Sequence, residues 1–195
     1  MCQLLAMSSR QPAALDFSFT GFAQRSTEHG DGWGIALHNG SDCQLYTDAL
    51  ACSNSALAQR FRASPIKARN VIAHIRKATQ GRVSLENSHP FTRRLWGQTW
   101  SFAHNGDLKL FRPRAGLYAP WGDTDSELAF CHILSELALR YEHQPPRHQL
   151  FATRPLTSNE AWQPFARGEL KLFVQGEEVG AQPVRQQEWD LQICA

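Results

Sequence analysis

Short apolar runs bounded by turn residues recur along the chain and predict strands. Up to residue 103 these are Cys2–Met7, Gly32–Leu37, Cys43–Thr47, Asn70–Ile75 and Thr99–Ala103. The dipeptide Asn39-Gly40 lies between two of them and is a strong hairpin signal, since it favours a tight two-residue turn. The last two strands are short and rich in β-branched or aromatic residues, so we expect both to be buried.

Three segments carry apolar residues at helical spacing instead, namely Leu15–Arg25, Ser53–Arg62 and Asp123–Tyr141. In the third, Thr124 and Glu127 fit a capping box, and the apolar stripe consists of Phe130, Leu134, Leu137 and Tyr141. Strands at Gln149–Thr153 and Glu169–Gln175 follow, and Gly176 turns into a last short one. Strands, a few helices and again strands predict an α+β fold with mostly antiparallel sheets.

Composition narrows the class of protein. The 195 residues, 42% hydrophobic and 19% charged, suit one ordinary soluble domain, or one domain and a small appendage. The net charge is +2, and the basic stretch from Arg60 to Arg69 is better explained as a solvated face than as a nucleic-acid interface. No apolar run approaches the about 18–20 residues of a membrane span, and the first residues lack the basic start of a signal peptide.

Five widely spread cysteines argue against a disulfide framework or a structural zinc site and favour a reducing compartment. We therefore expect a cytoplasmic protein without a cofactor, metal ion, membrane or nucleic-acid partner. The sequence does not indicate the oligomeric state.

Cys2 follows the initiator methionine, and a small side chain at this position favours removal of Met1. The new N-terminus would carry a thiol and a free α-amine on one residue. An α-amine has a pKa of about 7.7–8.0, so it can accept the thiol proton and later protonate a leaving amine. Alone, a second-position cysteine is more simply the first residue of a strand.

Three motifs supply complementary groups. HIRKATQG places Arg76 after a predicted strand, where its planar guanidinium can hold a carboxylate through two bonds. FAHNGDL places Asn105 beside Gly106, and a side-chain amide next to a backbone N–H makes a two-donor oxyanion hole. GDTDSELAF places Asp125 at a helix start, where its negative charge can stabilise the helix N-terminus or bind an ammonium group. Together with a thiol, these groups suit glutamine as a substrate.

Seven segments resemble, in order, the motifs of the class II glutamine amidotransferases, in particular their stand-alone YafJ-like branch. They are MCQLL, FSFTGF, HGDGWGIA, HIRKATQG, ENSHPF, FAHNGDL and TDSELAF. The resemblance runs from Met1 to about Leu139, and a segment of the tail resembles the end of the family. It implies an N-terminal nucleophile (Ntn) hydrolase fold, a four-layer αββα sandwich with two mostly antiparallel sheets. Residues 1–195 would form a single such domain, shortened around 141–149.

The resemblance also implies roles for individual residues. Cys2 is the nucleophile, and Asn105 and Gly106 form the oxyanion hole. Glutamine is bound through its α-carboxylate by Arg76 and through its α-amino group by Asp125. Two further positions, Thr79 and His89, line or support the pocket. Gly32, Trp33 and Gly34 match a loop and strand close to the nucleophile, whereas Lys77 and Gln80 depart from the synthase-linked relatives.

The expected reaction is hydrolysis of the glutamine side-chain amide through a Cys2 thioester, which gives glutamate and ammonia. A separate synthase subunit would accept the ammonia, or the protein would act as a glutaminase. Three alternatives stay open at this point. The first is hydrolysis of another γ-glutamyl compound, and the second is a non-catalytic domain that binds glutamine or a partner. The third is a metal hydrolase with His74, His89 and His104, although their spacing matches no usual ligand pattern.

Overall fold

The structure is a computed structural model. It describes residues 2–14, 21–23, 29–64, 66–108, 110–140, 149–150, 169–174 and 177–183. The predicted elements at 15–20, 24–25, 141, 151–153 and 175–176 lie outside these ranges, while residues 21–23 are helical as predicted. No helix in the described ranges is long and apolar enough to cross a membrane.

The first sheet has four strands in the order β1-β4-β2-β3, and all neighbours are antiparallel. The strands are β1 (Gln3–Ala14), β2 (Trp33–Asn39), β3 (Asp42–Asp48) and β4 (Lys67–Ile75). All four were predicted, but β1 continues past Met7. Within the described residues it lies at the edge of the sheet, where a polar, Pro-containing segment is tolerated because backbone groups on the outer side of an edge strand need no ladder partner.

The predicted β2–β3 hairpin is confirmed with a small shift of its turn. Asn39 pairs with Asp42, so the two turn residues are Gly40 and Ser41. Gly40 has a φ of 74°, a conformation that glycine adopts without the steric cost of a Cβ atom.

One face of the first sheet carries the larger apolar core. Helix α1 (Ala56–Ala63) packs against it and buries Ala58 and Phe61. It begins after the predicted start at Ser53, because the Ser55 hydroxyl caps it by accepting a hydrogen bond from the Ala58 N–H at 3.2 Å. The core residues from the sheet include Leu5, Trp33, Ile35, Leu37, Val71, Ala73 and Ile75.

The second sheet is a two-stranded hairpin of β5 (Phe91–Leu95) and β6 (Gln98–Phe102). Strand β6 was predicted, but the expectation that it is buried was wrong: Gln98 is exposed and the other residues are half-buried. A strand in a sheet of two is covered less than a central strand. Strand β5 was not predicted.

Helix α2 (Asp125–Arg140) covers this hairpin, and Phe130 and Leu134 pack on Phe91 and Leu95. Thr124 caps the helix through the Glu127 N–H at 3.2 Å. The second half of the predicted capping box was wrong. Glu127 instead accepts hydrogen bonds from the backbone N–H groups before the helix and forms an ion pair with Arg93 at 2.6 Å.

A third antiparallel sheet has the order β7-β8-β9. Its strands are β7 (Gln149–Leu150), β8 (Glu169–Val174) and β9 (Glu177–Pro183). With only antiparallel pairs in the described ranges and helices beside them, the α+β prediction is confirmed.

The first and second sheets meet through polar contacts. His38 Nε2 on β2 lies 2.7 Å from the Ser101 hydroxyl on β6, and His74 Nε2 on β4 lies 3.3 Å from His89 Nδ1 before β5. Gly34 makes the approach possible, because a Cβ atom there would collide with the His89 carbonyl oxygen. His74 and His89 of this polar layer also line the pocket of the candidate site.

Candidate active site

The register of β1 and β4 places Cys2 beside the residues that follow β4. Gln3 pairs with Ile75 in antiparallel register, so Cys2, just before β1, lies next to Arg76 and Lys77, just after β4. The Lys77 N–H donates to Cys2 Sγ at 3.2 Å, and the thiol donates to the Lys77 carbonyl at 3.3 Å. A backbone N–H directed at sulfur stabilises the thiolate, which is the nucleophilic form of cysteine.

The loop before β2 holds this segment in place. Asp31 Oδ2 accepts the Ala78 N–H at 2.8 Å, and the Asp31 N–H donates to the Arg76 carbonyl at 3.3 Å. The Arg76 N–H donates to the Gly32 carbonyl at 2.8 Å. Gly32 was expected near the nucleophile, but the part played by Asp31 was missed. The available signal was an acidic residue between two glycines just before a buried strand.

Arg76 is buried, with 4% of its surface exposed. Its guanidinium donates to the carbonyls of Arg82 at 2.8 Å, Gln80 at 2.7 Å and Gly81 at 3.2 Å. Burial lowers the pKa of Arg76, and the neighbouring acidic groups Cys2, Asp31 and Asp123 act in the opposite direction. Both terminal nitrogens of Arg76 already donate to backbone carbonyls. Bidentate binding of a carboxylate by Arg76 therefore requires residues 80–82 to move and release these hydrogen bonds.

The predicted oxyanion hole lies at the rim. Asn105 and Gly106 are exposed, and Asn105 Nδ2 donates to the Cys2 carbonyl at 2.9 Å. An amide nitrogen carries two hydrogens, so one stays available for a second acceptor. Gly106 lies against the His104 ring, which a Cβ atom would approach to 2.7 Å. Residues far apart in sequence therefore meet around Cys2.

Asp125 is half-buried at the start of α2. Its Oδ2 accepts the Leu108 N–H at 2.6 Å, and its Oδ1 accepts the Ser126 N–H at 2.7 Å. The side chain thus supports the helix start and ties the loop that carries Asn105 to α2. A carboxylate has about four lone-pair sites, so these bonds leave room for an ammonium donor.

Three histidines lie beneath the pocket. Burial lowers the pKa of His74 to about 3, and burial also lowers the pKa of His89 and His104. His104 Nδ1 lies 3.1 Å from the Ser126 hydroxyl. Across the ranges that the structure describes, no group of three or more His, Cys, Asp or Glu side chains is placed to hold a metal ion. The histidine cluster forms a polar floor of the pocket, in which burial disfavours the protonated form of each ring.

One pocket collects most of the predicted residues. It is lined by Cys2, His74, Arg76, Lys77, Thr79, Gln80, His89, His104, Gly106, Thr124, Asp125 and Ser126. Its cavity is about 30 Å³. Thr79 and His89 therefore lie where they were expected. The roles assigned to the site residues stay predictions.

The family model for class II glutamine amidotransferases matches residues 1–152, and the chain belongs to this family. It is 46% identical over 149 residues to the putative glutamine amidotransferase YafJ of Escherichia coli K12, covering 74% of this chain and 58% of that protein. A putative glutamine amidotransferase of Haemophilus influenzae is 45% identical over 155 residues, covering 77% and 53%. The resemblance to the YafJ-like branch is thereby confirmed.

A solved structure agrees with these relatives. The predicted glutamine amidotransferase from Pseudomonas aeruginosa PA01 is 36% identical, has a TM-score of 0.54 and is matched over 74% of this chain and 58% of its own. The chain thus spans between half and three fifths of the length of these relatives.

Proposed function

We propose that this protein hydrolyses the side-chain amide of glutamine, with Cys2 as the nucleophile after removal of Met1. The observation that carries the proposal is the meeting of four distant motifs at one pocket. Cys2, Arg76, Gly106 and Asp125 line it, and Asn105 contacts the backbone of Cys2. A thiol, amide donors and one group of each charge are what attack on the amide of a zwitterionic amino acid requires.

The proposed reaction has two steps. The α-amine of Cys2 takes the proton of the thiol, and the resulting thiolate attacks the carboxamide carbon. The tetrahedral oxyanion then takes hydrogen bonds from Asn105 Nδ2 and the Gly106 N–H. The α-amine of Cys2 gives the departing nitrogen a proton, so ammonia leaves and a glutamyl thioester forms. Water then attacks the thioester, which releases glutamate and restores the thiol.

The Ntn four-layer arrangement is part of the same proposal. Two observations support it. Helix α1 packs on one face of the first sheet and α2 on the outer face of the second. Between them, the two sheets contact through His38 with Ser101 and through His74 with His89. In such an order of helix, sheet, sheet and helix, Cys2 would lie just before β1, next to the layer between the sheets.

Glutamate release from glutamine by the purified chain tests the proposal. We expect wild type to produce glutamate and Cys2→Ala to produce none while keeping the circular dichroism spectrum of wild type. Mass spectrometry of the N-terminus accompanies each preparation, because only a chain without Met1 has the Cys2 amine available. An Ala variant that releases glutamate at the wild-type rate, from processed protein, contradicts the mechanism.

The same assay identifies the leaving group. Arg76 and Asp125 would bind the γ-glutamyl end, so the pocket residues described do not discriminate between ammonia and a larger amine. Glutamine is therefore compared with a small panel of γ-glutamyl amides and peptides at equal concentration. If a panel member is hydrolysed faster than glutamine, that compound replaces glutamine as the proposed substrate, and the proposed thioester mechanism stays the same. Whether a separate subunit accepts the ammonia is tested by adding candidate acceptors to the same reaction.

A further inference from the structure

The nucleophile depends on a backbone segment that has no regular secondary structure. Residues 76–78 follow β4 and lie outside any strand, yet Lys77 supplies both hydrogen-bond partners of the Cys2 thiol. A segment of this kind stays in position only if something outside it holds it. Asp31 and Gly32 provide three such bonds, two to Arg76 and one to Ala78.

We propose that Asp31 is a positioning residue for the nucleophile: its carboxylate fixes the Ala78 N–H, so that the neighbouring Lys77 N–H stays directed at Cys2 Sγ. The bond from Ala78 is the one link of the three made by a side chain, at 2.8 Å. The other two are made by backbone atoms and survive substitution. This inference deepens the proposed function, since it assumes that Cys2 is the reacting group.

Two effects of the Asp31 carboxylate on the thiol have opposite signs. Its negative charge disfavours a second negative charge on sulfur, whereas the geometry it imposes supplies the N–H that stabilises the thiolate. Asp31→Asn removes the charge and keeps an oxygen that can accept the Ala78 N–H. Asp31→Ala removes both. The difference between the two variants therefore isolates positioning from charge.

The experiment measures alkylation of Cys2 by iodoacetamide as a function of pH, with each cysteine followed by peptide mass spectrometry. Burial raises the pKa of both Cys43 and Cys52 to about 11, so they react slowly near neutral pH. The other charged or titratable groups around the thiol are unchanged in every variant: His74, Arg76, Lys77, His89, His104 and Asp125. Asp42→Ala at the exposed turn of the β2–β3 hairpin serves as the control.

We expect Asp31→Ala to be alkylated at Cys2 about tenfold more slowly than Asp31→Asn at pH 7, because the Lys77 N–H is no longer fixed. Asp31→Asn and Asp42→Ala should react at least as fast as wild type. Asp31→Ser is made in parallel, so that the comparison remains if the Ala variant does not fold. The inference is overturned if Cys2 is alkylated at the same rate in Asp31→Asn as in Asp31→Ala and Asp31→Ser.

Failure of the inference is distinguishable from failure of the proposed function. Alkylation reports the thiol whether or not glutamine is a substrate. If wild type releases no glutamate, the proposed function fails and the comparison of alkylation rates still decides the role of Asp31. If wild type is active but the variants react alike, Asp31 has only a structural role.

Discussion

The buried histidines beneath the pocket make stability depend on pH. Burial holds the pKa of His74 at about 3 against an ordinary value of 6.5, so the folded chain keeps this ring neutral where the unfolded chain protonates it. Stability is therefore fully present above about pH 6.5 and decreases as the pH falls toward 3, by up to about 1.4 kcal/mol per pH unit for each such proton. The pKa values of His89 and His104 shift in the same direction.

Urea unfolding between pH 7.5 and pH 5 measures this dependence. We expect the free energy of unfolding to fall with pH, and His74→Gln to show a smaller slope because the amide does not titrate. The comparison uses slopes, so a general loss of stability in the variant does not disturb it. Equal slopes in both proteins would contradict the expectation that burial lowers the pKa of His74 and so makes stability depend on pH.

Arg76 allows a test of the proposed carboxylate grip. In Arg76→Lys we expect the KM for glutamine to rise about tenfold or more, because an ammonium group cannot reproduce two parallel bonds from a planar fork. Arg82→Lys is the matched control: its side chain is 85% exposed and lies 3.7 Å from Asp123. Its KM should stay near that of wild type. Steady-state kinetics in which Arg76→Lys keeps the wild-type KM would remove Arg76 from this role.

At the scale of single elements, the contact between β5 and α2 contains a buried ion pair. Arg93 Nη2 and Glu127 Oε1 lie 2.6 Å apart with 8% and 1% of their side chains exposed, and the guanidinium lies 3.7 Å from the centre of the Trp121 ring. Arg93→Met would leave the carboxylate buried without its cation. We expect a loss of about 3–5 kcal/mol in the free energy of unfolding by denaturant.

The neighbouring arginine gives a matched control for this measurement. Arg94 is exposed and, among the residues that the structure describes, its side chain donates to the Gly97 carbonyl alone, so Arg94→Met should change stability by less than about 0.5 kcal/mol. Adding Glu127→Gln to Arg93→Met should recover part of the loss, because the uncompensated charge disappears. Similar stabilities for the two single arginine variants would show that the ion pair contributes little beyond an exposed contact.

The same ion pair explains why β5 escaped prediction while most other strands did not. Strands β1, β2, β3 and β4 carry apolar residues that face the core, and their periodicity is visible locally. In β5, the inward position between Phe91 and Leu95 is occupied by Arg93, which reads as polar until its partner Glu127 is known. Its turn residues, Trp96 and Gly97, both have the positive φ values that a common tight hairpin turn requires, but Trp-Gly is not one of the dipeptides that signal such a turn in a sequence.

The candidate site shows the same limit. That Cys2 and Arg76 lie at one pocket could be predicted, because their motifs carry side chains that suit one substrate. Contacts made through backbone atoms could not. The Lys77 N–H at the sulfur and the bond from Ala78 to Asp31 depend on how β1, β4 and the loop before β2 meet in space.

At the scale of the whole molecule, the spacing between the first and second sheets depends on Gly34. A Cβ atom there would collide with the His89 carbonyl and lie 2.7 Å from Thr47 Cγ2, and neither the backbone nor a paired strand can move far. Gly34→Ala should therefore lower stability by about 1–3 kcal/mol. It should also reduce glutamate release while the protein is still folded, since His89 lines the pocket.

Gly40→Ala separates these two effects. Gly40 has a φ of 74°, and a Cβ atom added there would meet nothing within 4 Å, so Ala strains the turn without pressing on the second sheet. We expect this variant to lose about 1 kcal/mol of stability and to keep wild-type activity. Thermal unfolding and glutamate release, both measured below the transition of the weaker variant, make the comparison. Full activity in Gly34→Ala would show that the pocket tolerates a change in sheet spacing.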